Sequence, residues 1–324
     1  MPVPEHTRYA REAAALVGAA FEDLDGGRGY LWRVSRNGAS VLGGGGSICA
    51  YPVNSAVAYT ISRDKAHTKA VLTASSLPVI PGGLFFAHKL RAAFRGPGRE
   101  AADAAVFAAK LGFPVFCKPN AGSRGDFAEI IASEAQLLAY AARIAPLHEA
   151  FLVEPVMTGA EHRVLVQDGR VVFHAAKALP AVTGDGRSTV ADLVAALDRS
   201  LPPGVSASSQ TALAPDAVPA RGERIVLPGR RNLSAGGGLD HVSDQAPTPL
   251  AALAVAATQA LGLRIGAVDL FDLSSAGDFT DPVIIEVNGN PGLRTLELAG
   301  REDLIRKIWT SMFEECLSCK PTGS

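Results

Sequence analysis

The sequence predicts an α+β fold built in lobes, on three observations. The chain has 324 residues, enough for two domains of ~100–200 residues each or for one large lobed domain. Asn37-Gly38 and Asp168-Gly169 each sit between strand-like runs, and both are turn dipeptides of antiparallel hairpins. Helical stretches fall among the strands without the regular beat of a βαβ series. Hydrophobic residues at 48% and charged residues at 19% are ordinary for a folded chain and exclude wholesale disorder.

In chain order, MPVPEHTRYAREAAALVGAAFEDLDGG reads as an alanine-rich first helix ended by Gly26-Gly27. Its apolar stretch is short, follows Arg11 and Glu12 and runs into acidic residues, which argues against a signal peptide. Residues 30–60 read as short strands, with YLWRV and SVLGG flanking the turn Ser35 to Gly38. The run Gly43 to Gly46 looks like a phosphate loop but lacks a following Lys-Ser/Thr, so a flexible turn is expected. SRDKAHTKAVLTASS is a helix, broken after Leu77 by Pro78 and Pro81. REAADAAVFAAKLG is a helix capped by Gly112, and FPVFCKP is a strand ending near Lys118. The glycine-rich loop AGSRGDF, the helix EAQLLAYAARIA and the buried-type strand FLVEPVM follow. HRVLVQDGRVVFHAAK is a hairpin, and STVADLVAALDRS is a helix with Ser188 or Thr189 as N-cap. Residues 201–222 form a loop-rich excursion, ERIVLPG a strand, and RRNLSAGGGLD a second glycine-rich loop. TPLAALAVAATQALGL is a helix, IGAVDLFDLS and PVIIEVNGNPG are strands, and REDLIRKIWTSMFEECLS is an amphipathic helix.

Chemistry concentrates on the last two strands. Asp269, Glu286 and Asn288 carry oxygen among apolar neighbours, and Glu286 and Asn288, two apart, share a face. Burying carboxylates there costs free energy unless something positive compensates. An all-oxygen set suits Mg²⁺, with Mn²⁺ as the alternative. Lys118, at a strand end before a glycine loop, is a second anion-binding candidate. Arg231 beside Asn232 in RRNLSAGGG offers a guanidinium and an amide to a developing phosphoryl charge. Glu154 and Glu161 flank a hinge and suit ribose hydroxyls, or else lie on the surface.

In their order these stretches resemble the ATP-grasp superfamily, and the chain is similar to the ATP-grasp region of cyanophycin synthetases and the related module of bifunctional glutathione synthetases. The match runs from about Arg63 to Leu296 and rests on DKAHTKAVL, LGFPVFCKP, FLVEPVMTGAEHRVLV, TGDGRST, NLSAGGGLD, GAVDL and IIEVNGNPGLR together. The resemblance implies two α+β lobes clamping ATP, spanning residues 61–155 and 156–315, with a small N-terminal region 1–60 and a tail 316–324. It implies that Lys118 binds ATP phosphates, with Gly122, Ser123 and Gly125 in a loop that closes over them. Glu154 through Val156 would meet adenine, largely through backbone, and Glu161 would meet ribose. Asp269, Glu286 and Asn288 would hold Mg²⁺, Asn232 would face the γ-phosphate, and Arg294 would face the substrate. The family carries an arginine two residues before Pro180. Here Ala178 stands there and Lys177 precedes it, so Lys177 is the candidate replacement.

The expectation is an ATP-dependent carboxylate–amine ligase for small amino acid or peptide substrates. Its alternatives are a kinase acting on a small-molecule hydroxyl and a nucleotide-binding module without turnover. A formal net charge of −1 argues against a bulk nucleic-acid partner. No run of ~18 apolar residues predicts a membrane span, and the cytoplasm is the default location. Oligomeric state is open, a homodimer being one option. Four scattered cysteines make no disulfide framework, and seven histidines show no paired metal spacing.

Overall fold

The first helix, α1 (Glu5–Leu16), is shorter than the sequence predicts. Gly18 takes a left-handed φ of 65° just past its end. Ala20–Asp23 then forms strand β1 in place of further helix, pairing antiparallel with β2 (Leu31–Arg36). β2 pairs in turn with β3 (Ala39–Gly44) through Asn37 and Gly38, both at positive φ as a type I′ turn requires. Gly43 is not part of a flexible turn. It lies inside β3, where a Cβ would sit 2.2 Å from the ring of buried Trp32. The computed structural model describes residues 3–46, 48–90, 92–122, 125–201, 214–227, 231 and 236–318.

Residues expected to end a strand region at 60 instead form α2 (Ala56–Arg63), capped by the Ser55 hydroxyl accepting from Ala58 N. Asp64 divides what the sequence suggests is one helix. It follows α2 and caps α3 (Lys65–Ala74) by accepting from His67 N.

The next lobe is a four-stranded antiparallel sheet of β4 (Gly83–Phe86), β5 (Val115–Pro119), β6 (Glu129–Ile131) and β7 (Ala150–Pro155), ordered β4-β7-β5-β6. Helices α4 (Ala101–Leu111) and α5 (Glu134–Ile144) pack on one face, over Val115, Cys117, Phe151 and Val153. Strand alternation turns Phe116, Lys118 and Glu154 to the other face.

The second lobe begins with the hairpin β8 (Ala160–Gln167) and β9 (Arg170–Ala178), joined at Asp168 and Gly169 as expected. β10 (Ala181–Thr183) and β11 (Arg224–Val226) make a two-stranded sheet whose small core includes α6 (Val190–Ser200), N-capped by Thr189. Gly238–Ser243 is strand β12, though Gly238 to Asp240 belong to the expected glycine-rich loop. Asp240 and His241 are exposed on this sheet edge, so no apolar alternation marks it. After α7 (Thr248–Ala260), strands β13 (Ile265–Asp272) and β14 (Pro282–Asn288) complete an antiparallel sheet ordered β12-β9-β8-β13-β14. Val164, Val166, Val268 and Leu270 face a core with α7, to which α3 contributes Leu72.

The opposite face of this sheet is divided. Leu165, Phe173, Ala175, Ile265 and Ala267 pack against α1, β2 and a terminal pair, α8 (Arg294–Leu298) and α9 (Glu302–Ser318). Trp309 is fully buried there, its ring centroid 5.2 Å from that of Tyr51 and 6.3 Å from that of Trp32. α9 runs past 316, where the sequence suggests the tail begins. Farther along the same face the packing stops and a cleft opens toward the four-stranded sheet. Among the described residues no helix is long and apolar enough to cross a membrane.

Asn54 fastens the N-terminal segment to the ends of β13 and β14. Its amide nitrogen donates to Ile265 O (2.9 Å) and Gly289 O (2.8 Å), and its Oδ1 accepts from Arg264 N (2.9 Å) and Ile265 N (3.1 Å). Both donors and both lone pairs are thus used in a buried setting. Asn54→Ala strands these backbone groups and should lower the unfolding free energy by more than ~2 kcal/mol in urea titration. A change within ~0.5 kcal/mol, that of an ordinary surface substitution, would contradict this reading.

Candidate active site

Two routes of chain cross between the lobes and frame the cleft. In the first, residues 78–80 pair with β14 through Ile284 N to Pro78 O (3.0 Å) and Ile80 N to Ile284 O (3.3 Å), then lead into β4. The second runs from β7 to β8 through residues 156–159. The cleft has a volume of about 2290 Å³, well above the ~300–1,000 Å³ of a one-ligand pocket.

One wall is rich in lysine. Lys118 of β5 and Glu154 of β7 share the cleft-facing side of the four-stranded sheet, with Nζ and Oε2 2.9 Å apart. The second oxygen of Glu154 takes Lys69 of α3, whose Nζ also donates to Ile80 O at 2.7 Å. Lys65, one helical turn before Lys69, donates to Gly122 O at 3.1 Å. Asn120 holds α3 against this loop: its Oδ1 accepts from Ala66 N and its carbonyl from Lys65 N. Three lysines thus face one carboxylate, and burial lowers the pKa of both Lys65 and Lys69.

The facing wall is rich in carboxylates. Register sets Glu161 beside Lys177, Arg163 beside Asp269, and Asp269 beside Glu286, all on one side of the five-stranded sheet. Lys177 Nζ lies 2.5 Å from Glu161 and 3.2 Å from Asp269, and Arg163 Nη1 lies 3.1 Å from Asp269. Asn288 Nδ2 donates to Glu286 Oε1 at 3.2 Å. Burial raises the pKa of Asp269 against the pull of Arg163 and Lys177. At Glu286 burial pushes the same way but is outweighed by Lys65, Lys118 and Asn288, which hold the carboxyl at about 2. For Lys177 burial is opposed and overcome by Asp269 and Glu161, and the net shift is upward.

The structure therefore brings Lys118, Gly122, Gly125, Glu154, Val156 and Glu161 to one cleft, together with Lys177, Arg231, Asp269, Glu286, Asn288 and Arg294. Ser123 and Asn232 lie outside the described residues. The side chains of several are already engaged. Glu154 holds two lysines, so its carboxylate is not turned to a hydroxyl, and Glu161 holds Lys177. Arg231 donates to Gly159 O at 2.6 Å. Arg294 is exposed in the cleft and makes no ion pair among the described residues. Glu297 and Asp303 form their ion pairs with Arg8 and Arg301, and Arg294 reaches Glu297 only as a more distant charge that helps lower its pKa.

Sequence reasoning assigned no role to Lys65, Lys69 and Arg163. A signal existed for the lysines: in DKAHTKAVL they stand four apart behind an N-cap aspartate, hence on one helix face. Arg163 had none, because its partner Asp269 is 106 residues away.

No family model matches the chain. The cyanophycin synthetase of Nostoc sp. is 30% identical over 267 residues, covering 76% of this chain and 28% of that protein. The bifunctional glutathione biosynthesis protein of Enterococcus faecalis is 28% identical over 256 residues, covering 72% of this chain and 32% of its own length. The chain thus spans about a third or less of these two curated relatives. Among solved structures, a bifunctional glutathione synthetase from Pasteurella multocida superposes with a TM-score of 0.59 at 20% identity, over 97% of this chain and 44% of that one. The chain thus has the ATP-grasp fold and is similar over most of its length to part of these synthetases.

Proposed function

We propose that the chain is an ATP-dependent carboxylate–amine ligase acting on small amino acid or peptide substrates. One observation carries the reading: a lysine wall, net positive, faces a carboxylate wall, net negative, across a cleft large enough for several ligands. A triphosphate belongs against the first wall and a hard cation against the second. Relatives named as synthetases of cyanophycin and of glutathione support a synthetase over a plain nucleotide binder.

The donor set fits Mg²⁺. Asp269, Glu286 and Asn288 offer oxygens from one sheet face, and the lysines keep Glu286 ionised at neutral pH. Two carboxylates plus substrate phosphates are the usual Mg²⁺ arrangement. Among the described residues no three His, Cys, Asp or Glu side chains converge on a metal of their own. When bound there, the ion would offset phosphoryl charge, with Mn²⁺ as a substitute.

The remaining chemistry falls to the chain's own groups. Lys118 and Lys65 hold phosphate oxygens, while Lys69 and Glu154 fix Lys118 in place. Arg294 takes the substrate carboxylate through its planar fork. A carboxylate oxygen attacks the γ-phosphorus, the bond to the β-phosphate oxygen breaks, and ADP leaves. The amine, as the free base, then attacks the acyl carbon of the acyl phosphate; phosphate leaves with the C–O bond pair and takes up the proton that the nitrogen sheds. No side-chain nucleophile is needed, and positioning with charge neutralisation supplies the acceleration.

Incubation with ATP, a carboxylic acid and hydroxylamine should yield ADP and a hydroxamate, read by mass spectrometry. ADP with a stable phosphoester and no hydroxamate would assign a kinase instead. Lys118→Ala should weaken ATP binding in calorimetry by ~10-fold or more, and an unchanged constant would remove Lys118 from the phosphate site. Glu286→Gln should lower turnover far more than ATP affinity.

Glu154→Gln separates structure from catalysis. It leaves Lys69 and Lys118 buried without their counter-charge, and should cost ~3–5 kcal/mol of unfolding free energy. Unaltered stability in urea would show that the pair of lysines does not depend on it. Arg294→Lys should raise the KM for the acid with ATP binding nearly intact, since charge remains and the fork is lost.

A further inference from the structure

One carboxylate in the cleft has no counter-charge. Glu5, in the first turn of α1, lines the cleft half-buried and makes no hydrogen bond or ion pair among the described residues. Its position is fixed by its neighbours. His6 Nε2 lies 3.0 Å from Pro291 O, and Thr7 Oγ1 donates to Gly29 O. Tyr51 Oη donates to the same Pro291 O at 2.7 Å. Helix α1 is thus pinned against the turn that leads from β14 to Arg294.

Gly292 makes room for the carboxylate. A Cβ on that residue would lie 2.7 Å from Glu5 Oε1, with no backbone atom among its close neighbours. The turn therefore presents two charges of opposite sign to the cleft, neither in an ion pair among the described residues: Glu5 resting on Gly292, and Arg294 two residues on. A metal does not fit at Glu5, because the nearby carbonyl of Pro291 is already taken by His6 and Tyr51. A primary ammonium does, since it brings three donors and its own positive charge.

We infer that Glu5 is a specificity-determining residue that accepts the primary ammonium group of a substrate whose carboxylate, or whose partner's carboxylate, lies on Arg294. The inference rests on the ligase reading above and deepens it by naming the residue that receives a substrate ammonium. That group belongs either to the acid being activated or to the incoming amine. The competing account is that Glu5 only favours the amino end of α1, where an acidic side chain is stabilising.

The test uses the full chain and Glu5→Gln, with Glu5→Asp as the conservative variant. In one arm, hydroxylamine is the nucleophile and the acids are the standard amino acids and their des-amino counterparts, such as propionate for alanine and succinate for aspartate. In the other arm the acid is fixed and amino acids serve as amines. Glu5→Gln should lower kcat/KM for the ammonium-bearing substrate ~10-fold or more, mainly through KM, with the KM for ATP unchanged and Glu5→Asp partly active. Loss in the hydroxylamine arm puts the ammonium on the acid, and loss only in the second arm puts it on the amine. Wild-type KM in both arms, with a lowered Tm alone, overturns the proposal and leaves the helix-end role. Equal use of amino acids and des-amino acids by the wild type, with no effect of Glu5→Gln in the amine arm, overturns it as well. Absence of any hydroxamate or amide from the wild type overturns the ligase reading itself, and this inference with it.

Discussion

Taking a carboxylate or an ammonium out of water costs several kcal/mol even after a protein relaxes around it. The cleft buries Glu154, Asp269 and Lys118 and half-buries Glu161, Glu286 and Lys177. At the effective dielectric of such sites one contact at ~4 Å returns ~4 kcal/mol, which is about what one buried ion loses. An isolated pair has two ions to desolvate and one contact to offset them, so it runs at a loss. Shared partners reduce that loss: Glu154 serves two lysines, Asp269 serves Lys177 and Arg163, and Lys177 serves two carboxylates. The placement of β5, β7, β8, β9 and β13 is constrained by this sharing, because a slip of one residue would turn an ion into the apolar layer beneath.

That constraint explains an irregularity in β14. Ile284 and Glu286 are two apart and would ordinarily share a face. Ile284 is nevertheless buried in the α7 core while Glu286 pairs across from Asp269. The register shifts by one between Asp269 and Leu270, leaving Ile285 as the extra residue. This bulge lets one short strand serve the core with one residue and the cleft with another. Because it lies before Glu286, Glu286 and Asn288 keep the common face that simple alternation assigns them.

This is also why much of the site was legible in the sequence. Asn37-Gly38 and Asp168-Gly169 announce their hairpins through backbone strain that few other residues tolerate, and Lys118 and the pair Glu286 and Asn288 stand out against apolar strands. What was missed depends on distance along the chain or on weak local contrast. Lys65 and Lys69 were given no role, since their spacing shows a shared helix face but not that Glu154, 85 residues on from Lys69, meets it on the same wall. β1 was absorbed into the preceding alanine-rich helix because AFED carries no apolar alternation, and its strand character comes from pairing with β2. His162 and His174 meet at 3.0 Å across β8 and β9, a contact set by hairpin register and invisible as spacing. Gly43 looked like a turn because its reason, the ring of Trp32, lies on another strand.

The N-terminal unit draws its importance from the same sheet face. On β13, Ile265 and Ala267 sit under the packing around Trp309, and Asp269 stands in the cleft. Residues two apart on a strand are separated by ~7 Å, so the boundary between apolar packing and the charged wall is one side chain wide. A dry lid over Ala267 keeps water from reaching Asp269 along the sheet, and the value of Asp269's contacts depends on that dryness. The lid is built from both ends of the described chain: α1 meets α8 through Arg8 with Glu297 and α9 through Glu12 with Arg306, across some 290 residues. Closing such a long loop is entropically costly and slow to form. Its return is that the wall of the cleft is complete only when the two ends have met, which ties the electrostatics of the site to the integrity of the whole fold.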